Sequence, residues 1–408
     1  MLKIRAFDDE EPFTKFLMSE IEKVGLSKDE FDIDIISEGK FLSAMDGLNQ
    51  RRENYRQSGI WDKSEPNIFD DISVLLVDFD LFELRASHYY KADIIAYLVR
   101  AFSDCGVIAR VNRFGHNPFD LTLKGDLSSF ADLDLGVKQL SNPTLWGISA
   151  SQGFSPWYWP NLVQFARDFE TRVADVEAAI KSGKTIKDTL GFLDENETWQ
   201  RLPRAIAQFF GSGAIDLTFK QFLVDSQSAL EFKDGKNLEL ENEVTVNWEI
   251  FSRLAAARVS KWLEYAVLKE QDILIDAPHL VSRFPSLLKD NKDIAAWNGL
   301  CLRGVNEIPG LDMALIEPFQ LKQAHWVSRP VWFWQDLLNC NDIADVREPW
   351  SIETPEWVFC EDASAFYKED ECREFKAETI SPFAGRYIKD FSEIEIKVEY
   401  FPRERFAL

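Results

Sequence analysis

Asp8, Asp9, Asp78, Asp80, Asn112 and Lys124 stand where apolar, strand-like stretches of this 408-residue chain come to an end. Asp8 and Asp9 follow LKIRAF, and Asp78 closes the run ISVLLV at Ile72–Val77, with Asp80 two residues on. Asn112 ends VIARVN, and Lys124 lies at the end of FDLTLKG. In a parallel sheet, functional side chains collect beyond the carboxyl ends of the strands. On such a sheet these acids, the amide and the ammonium would converge on one pocket. Clustered carboxylates repel one another and are costly unless a cation neutralises them. Mg²⁺ takes hard oxygen ligands and keeps several waters, so one or two carboxylates suffice to hold it. A lysine opposite can meet a phosphoryl oxygen as a point charge. An aspartate can attack phosphorus to give an acyl phosphate, with metal and ammonium stabilising the charge on the transferring group.

The elements that must position these groups follow from periodicity. Residues 2–7 read as a strand, and 12–24 show helical spacing with Phe13, Phe16, Leu17 and Ile21 on one face. FDIDIIS at 31–37 alternates like a strand, and 39–57 is a polar helix with Phe41, Leu42, Met45 and Leu48 as its apolar side. ISVLLV is apolar throughout, as a central parallel strand buried on both faces must be. Residues 91–103 form an amphipathic helix with Gly106 as a stop, 107–112 a strand, and 119–125 a last short strand. The order β-α-β-α-β-α-β-β predicts an α/β fold, with a doubly wound parallel sheet over residues 1–135. Residues 136–408 read as a helix-rich region with a small α+β element at its end, marked by WVFCED and IEIKVEYF. Within it, 161–182 and 247–270 have helical spacing.

The N-terminal third resembles the receiver domain of two-component response regulators. That family carries an acidic pair after its first strand, matched by Asp8 and Asp9 in AFDDEE. It carries a phosphoacceptor aspartate after an apolar third strand, matched by Asp78 in VLLVDFD, and a lysine after its last strand, matched by Lys124. The resemblance implies that Asp8, Asp9, Asp78 and the backbone carbonyl of Asp80 surround Mg²⁺, and that Lys124 contacts the phosphoryl group. The family's Ser or Thr after the fourth strand is Asn112 here, an amide that can still donate a hydrogen bond. Leu121 stands where an aromatic is usual and Gly125 where proline is usual, and the interval from Asn112 to Lys124 is too short for the customary helix.

The formal net charge of −23 repels phosphate backbones and anionic membranes, so neither a nucleic acid nor a membrane is expected as partner. Five scattered cysteines (Cys105, Cys301, Cys340, Cys360, Cys372) lack CxxC spacing and fit reduced thiols rather than a disulfide framework or zinc site. No signal-peptide pattern and no membrane-length apolar run is present, so a cytoplasmic location is expected.

Other motifs have bland readings. Asp276 and His279 in DILIDAPHL could form a base pair or ligate a metal, but a loop after a buried strand, turned by Pro278, accounts for them. KSGKT at 181–185 shares part of a phosphate-loop pattern without its first glycine and follows a helix. GSGAID at 211–216 reads as a turn. WYWP and WVSRPVWFW suggest an aromatic core before a ligand surface. Arg253, Arg258 and Lys261 could form a small basic face, or snorkel at a helix surface. The expected function is a response-regulator-like signalling protein that takes phosphate on Asp78 from a sensor histidine kinase, with Mg²⁺ as cofactor. Its output would be contact with a downstream effector protein, or phosphate buffering as in some anti-phage signalling. The alternatives are an enzyme whose C-terminal active site the receiver regulates, and a scaffold with a degenerate receiver. The oligomeric state is open, a homodimer included.

Overall fold

The computed structural model describes residues 1–79, 81, 92–112, 129–148, 154–157, 159–192, 218, 219, 221, 248–268, 271, 273–301, 308, 310–338, 356–374 and 386–389. The N-terminal elements are β1 (Leu2–Phe7), α1 (Glu11–Glu22), β2 (Phe31–Ile35), α2 (Glu38–Ser58), β3 (Val74–Asp78), α3 (Ala92–Phe102), β4 (Val107–Asn112) and β5 (Leu133–Gly136). The five strands form one all-parallel sheet in the order β2-β1-β3-β4-β5. The strand expected at 119–125 lies outside the described residues, as do Asp80 and Lys124, and the fifth strand of the sheet is β5.

Both faces of the sheet are covered, which is why its middle strand, β3, is apolar up to Asp78. Leu75, Val77 and Ile108 pack against Phe41 and Met45 of α2 and Ile95 and Val99 of α3. Val74, Leu76, Val107 and Ala109 pack on the other side against Leu17 and Ile21 of α1. That second face is completed by α4 (Leu162–Ser182) through Leu162 and Phe165, with Trp146 and Trp159 beside them. Each large apolar side chain so buried contributes about 1.5–3 kcal/mol. Of the predicted α1 face, Leu17 and Ile21 are buried but Phe16 is exposed. Gly106 does not end α3. A Cβ there would stand 2.5 Å from the Ser73 carbonyl oxygen, so the glycine is needed for a close backbone approach at the start of β3.

Farther along, α5 (Trp248–Trp262) is buried all round and packs along α4. Its basic residues are not a surface face. Arg253, Arg258 and Lys261 are all buried. Arg253 pairs with Glu170 (2.9 Å), and Lys261 donates to the carbonyls of Ser129 and Ala131, ahead of β5. The sequence around KSGKT is a helix junction: Gly183 ends α4 in the left-handed conformation (φ 70°), and Thr185 caps a short helix, Ile186–Leu190. GSGAID and IEIKVEYF lie outside the described residues. Trp157, Trp159, Trp326, Trp332 and Trp334 are buried, so the aromatic clusters are core.

A two-stranded sheet joins β6 (Leu274–Asp276) to β7 (Val331–Phe333), with α6 (Ala277–Arg283) following β6 directly. The stretch after Asp276 is therefore a helix rather than a loop, with Asp276 as its N-cap and Pro278 in its first turn. β8 (Trp357–Cys360), β9 (Ala365–Lys368), β10 (Cys372–Glu374) and β11 (Tyr387–Lys389) form a small mixed sheet in the order β10-β11-β8-β9. Among the described residues no helix is long and apolar enough to cross a membrane.

Candidate phosphoacceptor and metal site

The order of the parallel sheet reverses between β1 and β3, and ligands of open α/β sheets bind beyond the strand ends at such a switch point. The acids sit there. Phe7 is in register with Val77, so the next residue of each strand brings Asp8 beside Asp78. Asp8, Asp9 and Asp78 each offer a carboxylate oxygen, and these oxygens all lie within 4.8 Å of one another. Asp78 is 1% exposed and Asp8 6%, while Asp9 is half-buried.

Each strand end is held. The Phe7 ring stacks on Phe41 of α2 with ring centroids 3.6 Å apart, pinning the end of β1. Asp8 Oδ1 accepts the Glu10 backbone N–H (2.7 Å), and Glu10 caps α1, whose first turn contains Pro12. Asp78 ends β3 opposite Val111, and Phe79 N–H donates to the Val111 carbonyl (2.8 Å). Asp8 Oδ2 and Asp9 Oδ1 are buried. Hard oxygen donors from two adjacent strand ends, largely screened from water, suit a small divalent cation.

Asn112 ends β4, next to β3, and is half-buried in register with Gly136 of β5. It therefore lies on the same edge of the sheet as the acids. Of the six residues expected to converge, the structure brings three carboxylates together and puts the amide on their edge. Asp80 and Lys124 fall outside the described residues.

Asp276 and His279 belong to a different constellation, whose other members the sequence did not suggest. His279 Nδ1 is 2.6 Å from Asp276 Oδ1, and its Nε2 is 3.4 Å from Glu361 Oε1. Glu361 is held in turn by Arg386, and Asp276 also accepts from Trp157 Nε1 (2.6 Å) and Gln271 Nε2 (2.9 Å). Burial works against a charge on His279, but the Asp276 and Glu361 carboxylates outweigh it and raise its pKa above the usual histidine range. Burial likewise opposes the Asp276 charge, yet His279 and Arg329 hold the carboxyl at about 2. With both ring nitrogens engaged, the histidine serves as a buried ionic link between α6 and the end of β8. A cavity of about 30 Å³ lined by Trp157, Ala277 and Arg329, beside Asp276, has room for water. Glu361 is 82 positions from His279, and no local spacing could have signalled the pairing.

No protein-family model matches the chain, and no curated protein or solved structure is significantly similar to it.

Proposed function

We propose that the N-terminal sheet is a doubly wound, receiver-like domain of a signalling protein, and that Asp78 accepts a phosphoryl group with Mg²⁺ held beside it. The observation carrying this reading is the convergence of Asp8, Asp9 and Asp78 at the switch point between β1 and β3. The strand order supports it, being one of the two common doubly wound orders.

The donor set fits Mg²⁺, since it is all carboxylate oxygen and the cation needs only one or two such ligands beside its waters. Bound there, the cation would offset negative charge on a phosphoryl group. The chain's own residues do the rest. An Asp78 oxygen attacks phosphorus and forms the acyl phosphate bond, as the bond from phosphorus to the donor's imidazole nitrogen breaks and the imidazole leaves with the electron pair. Asp8, fixed by the Glu10 N–H, keeps its carboxylate turned to the site. Asn112, on the neighbouring strand end, donates to a phosphoryl oxygen, and Lys124 supplies a positive charge. The Asp80 carbonyl is assigned to the cation. The donor is a sensor histidine kinase in the cytoplasm. The helix-rich remainder passes the signal to a downstream effector protein, or the domain serves as a phosphate buffer.

Calorimetric titration of the full chain with Mg²⁺, and with Mn²⁺ as a second probe, tests the metal half of this proposal. Asp9→Asn removes one donor charge at the least buried of the three positions, and is expected to weaken binding roughly tenfold or more. Binding that is absent from folded wild type, or unchanged in Asp9→Asn, would refute it.

A further inference from the structure

We propose that Cys360 and Cys372 are a reversible dithiol–disulfide pair that staples the small C-terminal sheet. The inference is independent of the phosphoacceptor reading. Cys360 ends β8 and Cys372 begins β10, and their sulfurs stand 3.2 Å apart. A disulfide holds its sulfurs at about 2.05 Å, so closing the bond needs roughly 1 Å of further sulfur approach and, with β11 between the two strands, a shift of the backbone as well. Cys360 is buried and Cys372 partly exposed, which gives the pair one thiol that a small reagent can reach and one that it cannot.

The bond would span a strand. β11 lies between β8 and β10, with Tyr387 in register with Cys360 and Lys389 with Cys372. A covalent link across β11 would hold three strands together and close the loop that carries β9. It would also fix the backbone entering Glu361, the partner of His279 and Arg386. The redox state of the pair thus bears on the anchoring of the buried ionic cluster.

The exchange is written with a low-molecular-weight disulfide as oxidant. The Cys372 thiolate attacks one of its sulfurs, forming a mixed disulfide and releasing one small thiolate. Cys360 gives up its proton and displaces the second small thiolate, forming the Cys360–Cys372 bond. Two protein thiols are oxidised, the small disulfide is reduced to two thiols, and the two protons end on those thiols. Burial raises both protein thiols above the ordinary cysteine range. Since the thiolate is the nucleophile, the exchange is slow at neutral pH and faster as pH rises.

The test equilibrates the native full-length protein with oxidised glutathione, quenches it in acid, unfolds it in denaturant, blocks the remaining thiols with iodoacetamide, and maps peptides without reduction. The expected result is a Cys360–Cys372 cross-linked peptide, two fewer alkylated thiols, and full reversal by dithiothreitol. In Cys372→Ser the oxidant should leave the alkylation of Cys360 unchanged. Alkylation of both cysteines in oxidised wild type, a mixed disulfide on Cys372 that never resolves, or pairing of either cysteine with Cys301 would overturn the proposal. The wild-type map decides the matter alone if the variant fails to fold.

Discussion

Replacing Asp362 with asparagine should stabilise this protein at alkaline pH and lose that advantage in acid. Asp362 is fully buried; its Oδ1 accepts the Lys389 backbone N–H (2.9 Å), and its Oδ2 is buried with no hydrogen bond. Burial first, and then the neighbouring Glu361 charge, push the carboxyl up to about 7 from 3.8, against the pull of the backbone N–H groups of Lys389 and Ala363. A raised folded pKa means that the native state holds the proton more tightly than the unfolded chain. The stabilisation is complete below about 3.8 and drains away as pH rises through about 7. At 1.36 kcal/mol per unit, a span of about three units sets a ceiling near 4 kcal/mol. Asparagine keeps the Oδ1 acceptor and buries no charge, but its amide hydrogens cost about 1–3 kcal/mol if no acceptor is found. The net expectation is a gain of about 1–3 kcal/mol at pH 8 and none, or a small loss, at pH 5. Urea titrations followed by tryptophan fluorescence at pH 5, 6.5 and 8 measure it. A difference between the two proteins that does not change with pH, or that favours wild type more at pH 8 than at pH 5, would refute the assignment.

Lys261→Met should show the opposite pH signature. Burial, and then Arg110, push the ammonium down to about 8 from 10.5, so wild-type stability should rise between those values, where the unfolded chain binds more protons. Methionine should erase that rise, leaving stability at pH 7 within about 2 kcal/mol because the Ser129 and Ala131 carbonyls lose their donor as the buried charge is removed; thermal melts from pH 7 to 10.5 test it. Arg110→Met strands the buried Asp134, which Arg110 now meets through Nη2 at 2.8 Å, and should cost about 3–5 kcal/mol in urea denaturation. Mg²⁺ at a hundredfold excess over its Kd should stabilise wild type by about 2.7 kcal/mol. The same Mg²⁺ concentration should stabilise Asp9→Asn much less, and differential scanning calorimetry reads both.

What could be read from sequence alone divides along physical lines. β3 was legible because a parallel strand buried on both faces leaves a continuous apolar run, β1 because LKIRAF reads as a short strand, and Asp8, Asp9 and Asp78 stand out as the first acids after these stretches. β5 was not, because half of LDLG is not apolar on paper: Asp134 becomes core only through Arg110 on the adjacent strand. Asp132, two residues earlier, is buried against Arg100 in the same way. The alternation of FDLTLKG drew attention away from it. In α5 the helical spacing was plain, but Arg253, Arg258 and Lys261 read as surface residues. Their burial depends on partners such as Glu170 and the Ala131 carbonyl, more than eighty positions away. The same holds for His279, whose pairing with Asp276 is local while Glu361 and Arg386 arrive from the C-terminal sheet.

Phosphoryl transfer to Asp78 is the central claim, and intact-mass spectrometry after incubation with acetyl phosphate and Mg²⁺ tests it most directly. The account predicts a single phosphoryl adduct on folded wild type, lost when Mg²⁺ is chelated and absent from Asp78→Asn. No adduct on wild type, or an adduct of equal yield on Asp78→Asn, would contradict it.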